Sequence, residues 1–208
     1  MNTITNILYW LSTGLLVPVI ILLIFLFLKS LVMIGSFFAQ YQNIRKNNSQ
    51  IQEIINKLNS NNILELKNNL PDKDKSLSIN YIKNMLDANK SKSHINLLLA
   101  NFEIEADKDL FKSKTLAKLG PILGLMGTLI PMGPALVGLS TGDIASMAYN
   151  MQVAFSTTVI GLFAGAIGLM TQQVKRRWYL KDMANLEFIA NLLTAEQGET
   201  NNETKIVA

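Results

Sequence analysis

The chain has 208 residues, of which 49% are hydrophobic and 16% charged, with a net charge of +4, one histidine and no cysteine. A soluble domain carries about 25% charged residues, and the shortfall here falls in two apolar blocks, roughly 4–39 and 119–174, around an ordinary polar segment. Without cysteine there is no disulfide framework, thiolate metal site or thiol catalysis. The basic residues alternate with acids and form no aromatic-studded patch, which argues against nucleic acid as a partner.

The first block predicts a membrane span near Tyr9–Leu28, since about 20 apolar residues cross a hydrocarbon core of about 30 Å. Lys29 follows it, and Ser30–Gln40 can carry the helix into the interface. The stretch before the apolar run has no positive charge, and no small-residue cleavage site follows. A retained anchor is therefore expected over residues 1–40, rather than a signal peptide.

Residues 41–118 read as interrupted amphipathic helices. Ile51, Ile54, Ile55 and Leu58 recur at helical spacing, Asn-rich stretches and Pro71 break the pattern, and Ser78–Met85 and His94–Phe102 predict two further pieces. His94 reads as a polar residue near a helix start. Glu103, Glu105, Asp107 and Asp109 form an acidic run whose i, i+2 spacing spreads the carboxylates around a helix. A solvated approach to the membrane is expected there, not a metal site.

The second and third spans are predicted at about Leu119–Leu139 and Ile144–Val174. Gly120, Gly124 and Thr128 share one face, with Gly127 beside them, and Gly161, Gly165 and Gly168 form a second small-residue stripe. In lipid, helices associate by close van der Waals contact, so such stripes predict tight helix packing. Pro121 is expected at the first turn of its span, where no helical hydrogen bond is lost. Pro131 and Pro134 are expected to kink the helix or end it before the outer loop. Asp143 is expected to cap the third span near Ser146. Ser156, Thr157 and Thr158 in a row point in three directions, and Thr158, with Thr128 at a similar depth, gives two hydroxyls that are either packing groups or the polar lining of a conduit; the residues alone leave both open.

Residues 1–28 contain no Lys or Arg, whereas residues 41–118 hold most of them and Lys175, Arg176 and Arg177 close the third span. The positive-inside rule then predicts an outer N-terminus, a cytoplasmic middle segment and a cytoplasmic tail over 175–208. The expected fold is an all-α membrane protein with three transmembrane helices and a helical cytoplasmic insert between the first and second.

Gly124-Leu125-Met126-Gly127-Thr128 and Ala154-Phe155-Ser156-Thr157-Thr158-Val159-Ile160-Gly161-Leu162 resemble the two core elements of the MotA/TolQ/ExbB proton-channel family. Three spans with an outer N-terminus are closest to the TolQ/ExbB branch. At the position five before the threonine, where ExbB and TolQ carry glutamate, this chain has Val153, with Gln152 beside it. Gly127-Thr128-Leu129-Ile130-Pro131 stands where that branch has G-T-x-W-G. The resemblance implies a homopentamer in a prokaryotic cytoplasmic membrane, its pore lined by the last two spans. It also implies two copies of an ExbD/TolR/MotB-like single-span protein in that pore, bringing an aspartate that takes up and releases the ion. Thr128, Thr158 and Thr157 would form a polar ring around this carboxylate, and ion flow would drive mechanical work. No cofactor, metal or catalytic residue is expected. The other reading of the sequence is a non-conducting scaffold that oligomerises through its glycine faces.

Overall fold

The structure, a computed structural model, describes residues 2–56, 77–87 and 92–206. Among these residues there is helix and no strand: α1 (Asn2–Gly14), α2 (Leu16–Asn56), α3 (Leu77–Asp87), α4 (Lys92–Thr141) and α5 (Ile144–Ile206). Three stretches are long and apolar enough to cross a membrane, Asn6–Gln42, Lys92–Thr141 and Ile144–Thr194. The Asn-rich run after Asn56 and Pro71 lie outside the described residues.

The chain divides into two compact units. The first comprises Met1–Phe38 and Phe111–Gln173, the second Ala39–Leu110 and Val174–Ala208. In the first, α1 and α2 are separated only by a turn at Leu15. Pro18 explains it: a proline has no N–H to bond the carbonyl four residues back and its ring crowds that carbonyl, here that of Gly14. The Leu15 N–H reaches the Leu11 and Ser12 carbonyls, and the Val19 N–H bonds the Leu15 carbonyl at 3.1 Å, so the helix resumes at once. Leu16, Val19, Leu23 and Leu26 recur every three or four residues, Met33 follows two turns on, and all five pack against α4 and α5. Val17, Ile21, Phe25 and Val32, on the other faces, are exposed as lipid-facing side chains would be.

The sequence places Pro121 in a first helical turn, where no hydrogen bond would be lost. The structure corrects this: α4 is one helix of 50 residues with Pro121, Pro131 and Pro134 all inside it. Nor do the last two prolines end the helix, which continues to Thr141. A missing N–H costs a helix less where packing holds the backbone on both sides of it. Pro121 is placed so that its ring fills the space over Gly165.

Gly142 ends the helix. Its φ is +76°, a left-handed conformation open to glycine at no steric cost. The Asp143 N–H reaches the Gly138 carbonyl at 2.8 Å and the Gly142 N–H the Leu139 carbonyl at 3.2 Å. This pair of bonds is the Schellman ending. Asp143 then caps α5, its Oδ1 accepting from the Ser146 N–H at 3.0 Å, as its position before the third span suggests.

At about 1.5 Å per residue, α4 is about 75 Å long against a hydrocarbon core of about 30 Å, so it must project well beyond a bilayer. The second unit takes in α4 as far as Leu110 and α5 from Val174 onward. His94–Phe102 is the first part of α4 and runs on into the second span without a break, and the residues after Gln173 continue α5. The core of this unit joins Ile79, Ile82 and Met85 of α3, Ile95 and Phe102 of α4, and Leu186, Ile189 and Leu193 of α5. Phe102 meets Tyr81 and Tyr179 edge to face, with ring centroids 5.5 and 6.4 Å apart. Such pairs add about 0.5–1.5 kcal/mol to area burial.

A candidate ion pathway on the glycine-packed hairpin

In the first unit α4 and α5 run antiparallel with their glycines in the seam. A methyl group added to Gly120 would stand 2.7 Å from the Gly161 carbonyl oxygen and 2.7 Å from the Gly165 nitrogen. One added to Gly161 would meet the Gly120 oxygen at 2.6 Å and the Gly124 Cα at 2.7 Å. Gly124 faces the Thr157 and Thr158 carbonyls, Gly165 faces Pro121, and Gly168 faces Ser113 and Ala117. All six glycines of the two stripes therefore lie between the helices of a single chain.

Gly127 faces the side chain of Thr157, whose Oγ1 would be 2.5 Å from an added methyl. Thr157 is only 6% exposed, and its hydroxyl donates to the Val153 and Ala154 carbonyls at 3.0 and 2.9 Å. It is thus part of the seam. Thr128 and Thr158 are both partly exposed. They donate to the Leu125 carbonyl at 2.7 Å and the Ala154 carbonyl at 3.1 Å, which leaves each oxygen's lone pairs open to a further donor.

Helical rotation fixes which way these two threonines face. At about 100° per residue, Thr128 lies about 40° to one side of Gly124, while Leu123 and Ile130 lie about 100–120° to the other. On α5, Thr158 lies about 60° to one side of Gly161, while Ala164 and Ile167 lie about 60° and 120° to the other. Leu123, Ile130, Ala164 and Ile167 are the residues that pack against the first span. In antiparallel helices the same sense of rotation leads to the same side, so both threonines fall on the side of the hairpin away from α2. Counting along both helices from the glycine contacts, they stand within about 3 Å of the same depth.

Asp143, exposed at the turn, is the one formal charge between Leu119 and Val174. Gln152 and Ser156 are exposed, and the Ser156 hydroxyl donates to the Gln152 carbonyl at 2.8 Å. Among the described residues no three His, Cys, Asp or Glu side chains gather as a metal site would require.

The second unit holds two polar clusters that the sequence did not announce. Asp109, expected as one of a solvated run, accepts from Lys175 Nζ at 2.8 Å and from the Tyr179 hydroxyl at 2.7 Å. Lys175 and Tyr179 are one turn apart on α5, so a single carboxylate ties both to α4. Burial, then the bond to Asp109 and the charges of Asp109 and Asp182, push the Tyr179 hydroxyl well above its ordinary value and keep it a donor. The available signal was the i, i+4 pairing of Lys175 with Tyr179, but nothing in one sequence says which acid faces it.

Asp182 accepts a hydrogen bond from Ser78 of α3. Burial raises its carboxyl to about 6, against the opposing pull of the Ser78 hydroxyl and the Lys181 charge. A folded value above the unfolded 3.8 means that Asp182 favours the folded chain most below about pH 4 and loses that contribution as pH rises through about 6. Asp182→Asn keeps an acceptor for Ser78 and carries no charge. It is expected to raise the thermal midpoint at pH 7.5, by up to about 3 kcal/mol in free energy, and to flatten the stability profile between pH 4 and 6. An unchanged profile in a thermal melt at several pH values would remove the assignment.

His94 is exposed at the start of α4.

No curated relative matches this chain. The family model of the MotA/TolQ/ExbB proton channel family matches residues 50–187, more than half of the chain. That match takes in both helices of the glycine seam and both threonines on its free side. By this match the chain belongs to the MotA/TolQ/ExbB proton channel family.

Proposed function

We propose that this chain is the multi-span subunit of an ion-driven stator, coupling cation flow, most simply of protons, to mechanical work through a single-span partner that carries an aspartate. The observation that carries this reading is the pair Thr128 and Thr158, at one depth on the side of the hairpin that α2 leaves uncovered. A relay of titrating side chains needs ionisable groups facing the interior of a membrane bundle, and the hairpin supplies only hydroxyls there. The carboxylate must come from another polypeptide.

In this reading five copies surround a pore lined by α4 and α5, with two copies of the partner inside. The first span stands at the rim, the N-terminus faces outward, and the middle segment and the C-terminus lie in the cytoplasm of a prokaryotic cell. The scaffold alternative has lost its main support. Its glycine faces were to assemble other subunits, and they are occupied within one chain.

Purification from native membranes tests the proposal. The expected product contains a small second protein with one hydrophobic segment and one aspartate within it, and reconstituted vesicles leak protons only when that protein is present. A homo-oligomer that conducts by itself, or a complex with no such second chain, would overturn it.

A further inference from the structure

Two rows of large apolar side chains in the second unit point away from its core. On α4 they are Leu97, 54% exposed, and Ile104, 65% exposed; on α5 they are Leu180, 61%, and Phe188, 42%. Leu97 and Ile104 are seven residues apart and so lie about 20° from each other around the helix. Leu180 and Phe188, eight apart, share a face to within about 80°. The residues that face the core, Ile95, Phe102 and Ala106 on α4 and Leu186, Ile189 and Leu193 on α5, lie on the opposite sides of the two helices. The two exposed rows therefore point outward in opposing directions. Each row is a pair of large apolar side chains on a helix face turned away from the core, and such a face suits contact with another apolar surface.

Their depths match. Asp109 meets Lys175 and Tyr179, and Phe102 meets Tyr179. Counting from these contacts, Ile104 and Leu180 stand level, and Leu97 and Phe188 are within about 1.5 Å of level. Their charges lean in opposite senses as well. Glu103, Glu105 and Asp107 outnumber Lys108 along the α4 row, and Arg176, Arg177 and Lys181 outnumber Asp182 and Glu187 along the α5 row.

A closed ring in a membrane has its axis along the membrane normal, so neighbouring copies are related by rotation with no shift in height. Surfaces that meet across a head-to-tail contact must then lie at one depth on opposite sides of the subunit, and the two rows have that arrangement. We infer that the α4 row of each copy seats against the α5 row of the next copy, outside the bilayer, with Ile104 against Leu180 and Leu97 against Phe188. The inference rests on the homo-oligomeric part of the proposed function and adds the surface by which the copies recognise one another.

The natural chain has no cysteine, so paired cysteines report this contact without background. In the full chain, in its membrane, Ile104→Cys with Leu180→Cys is expected to give a ladder of covalent oligomers with a short bis-maleimide. Leu97→Cys with Phe188→Cys is expected to do the same, whereas Ile104→Cys with Phe188→Cys, out of register by about 12 Å, gives none. All four side chains are exposed, so the substitutions leave the core untouched. Dimers formed by Ile104→Cys alone would show a two-fold contact and overturn the inference. So would an intact oligomer with no ladder from either matched pair, or a chain that stays monomeric. A ladder in a complex that passes no ions would leave the contact standing and remove the channel reading; ion flow without a ladder would do the reverse.

Discussion

Valine at both Thr128 and Thr158 is expected to abolish ion-driven work while leaving the folded chain intact. Valine has nearly the shape of threonine, so what is removed is the pair of hydroxyls. In the resting chain each hydroxyl only returns a hydrogen bond to its own helix, at 2.7 and 3.1 Å, and such a bond adds little to helix stability. Their open lone pairs can accept from a partner's protonated carboxyl, or from the hydrated proton leaving it, at that depth. A hydrogen bond to a charged group contributes roughly 1.5–3 kcal/mol. Losing two of them corresponds to at least about a hundredfold in flux, at about 1.4 kcal/mol for each factor of ten. Thr157→Val is the control. Its hydroxyl points into the seam against Gly127, so flux should change only slightly. Dye-reported proton uptake into vesicles holding the native complex, beside thermal melts of each variant, measures both quantities. Full flux in the double variant, or equal loss in Thr157→Val, would refute the assignment.

The largest loss of stability is expected from a side chain at Gly161. Its first carbon would already sit 2.6 Å from a carbonyl oxygen and 2.7 Å from a Cα. Both neighbours are backbone and cannot turn aside, so the two helices have to separate. Separation removes the contact at Gly124 and loosens that at Gly120 along the same seam, and in lipid no hydrophobic drive replaces lost packing. Gly161→Val is expected to destabilise the hairpin by about 3 kcal/mol or more, the upper range for overpacking. Gly35 provides the comparison, since nothing stands within 4 Å of a carbon added there. Gly35→Ala should be neutral or stabilising by up to about 1 kcal/mol, from helix propensity alone. Thermal melts in detergent and size-exclusion profiles read the difference; equal behaviour of the two variants would mean the seam does not hold the hairpin together.

Long-range contacts explain which polar residues were misjudged. Asp109 looked like one more solvated acid beside Asp107, because adjacent carboxylates read alike in one dimension. Its partners come from 66 and 70 residues away. Asp182 and Ser78 met for the same reason, and the burial that sets the Asp182 titration comes from packing around α3. Proline differs. Its local rule, the missing N–H, puts Pro121 at a helix start and lets Pro131 and Pro134 end the helix, but a helix held against neighbours carries through all three.

By itself the sequence determined the number of spans, the all-helical fold, the cap at Asp143 and the two families of small residues, because each depends on local period, length or side-chain size. It also carried the two elements by which the family is recognised. Only the tertiary structure decided that the glycines meet within one chain, that Thr157 turns into the seam while Thr128 and Thr158 stay on the free side, and that α4 and α5 continue into a second core. Those outcomes depend on which faces of three helices meet, and the covering of one face by α2 is settled by packing among segments more than 80 residues apart.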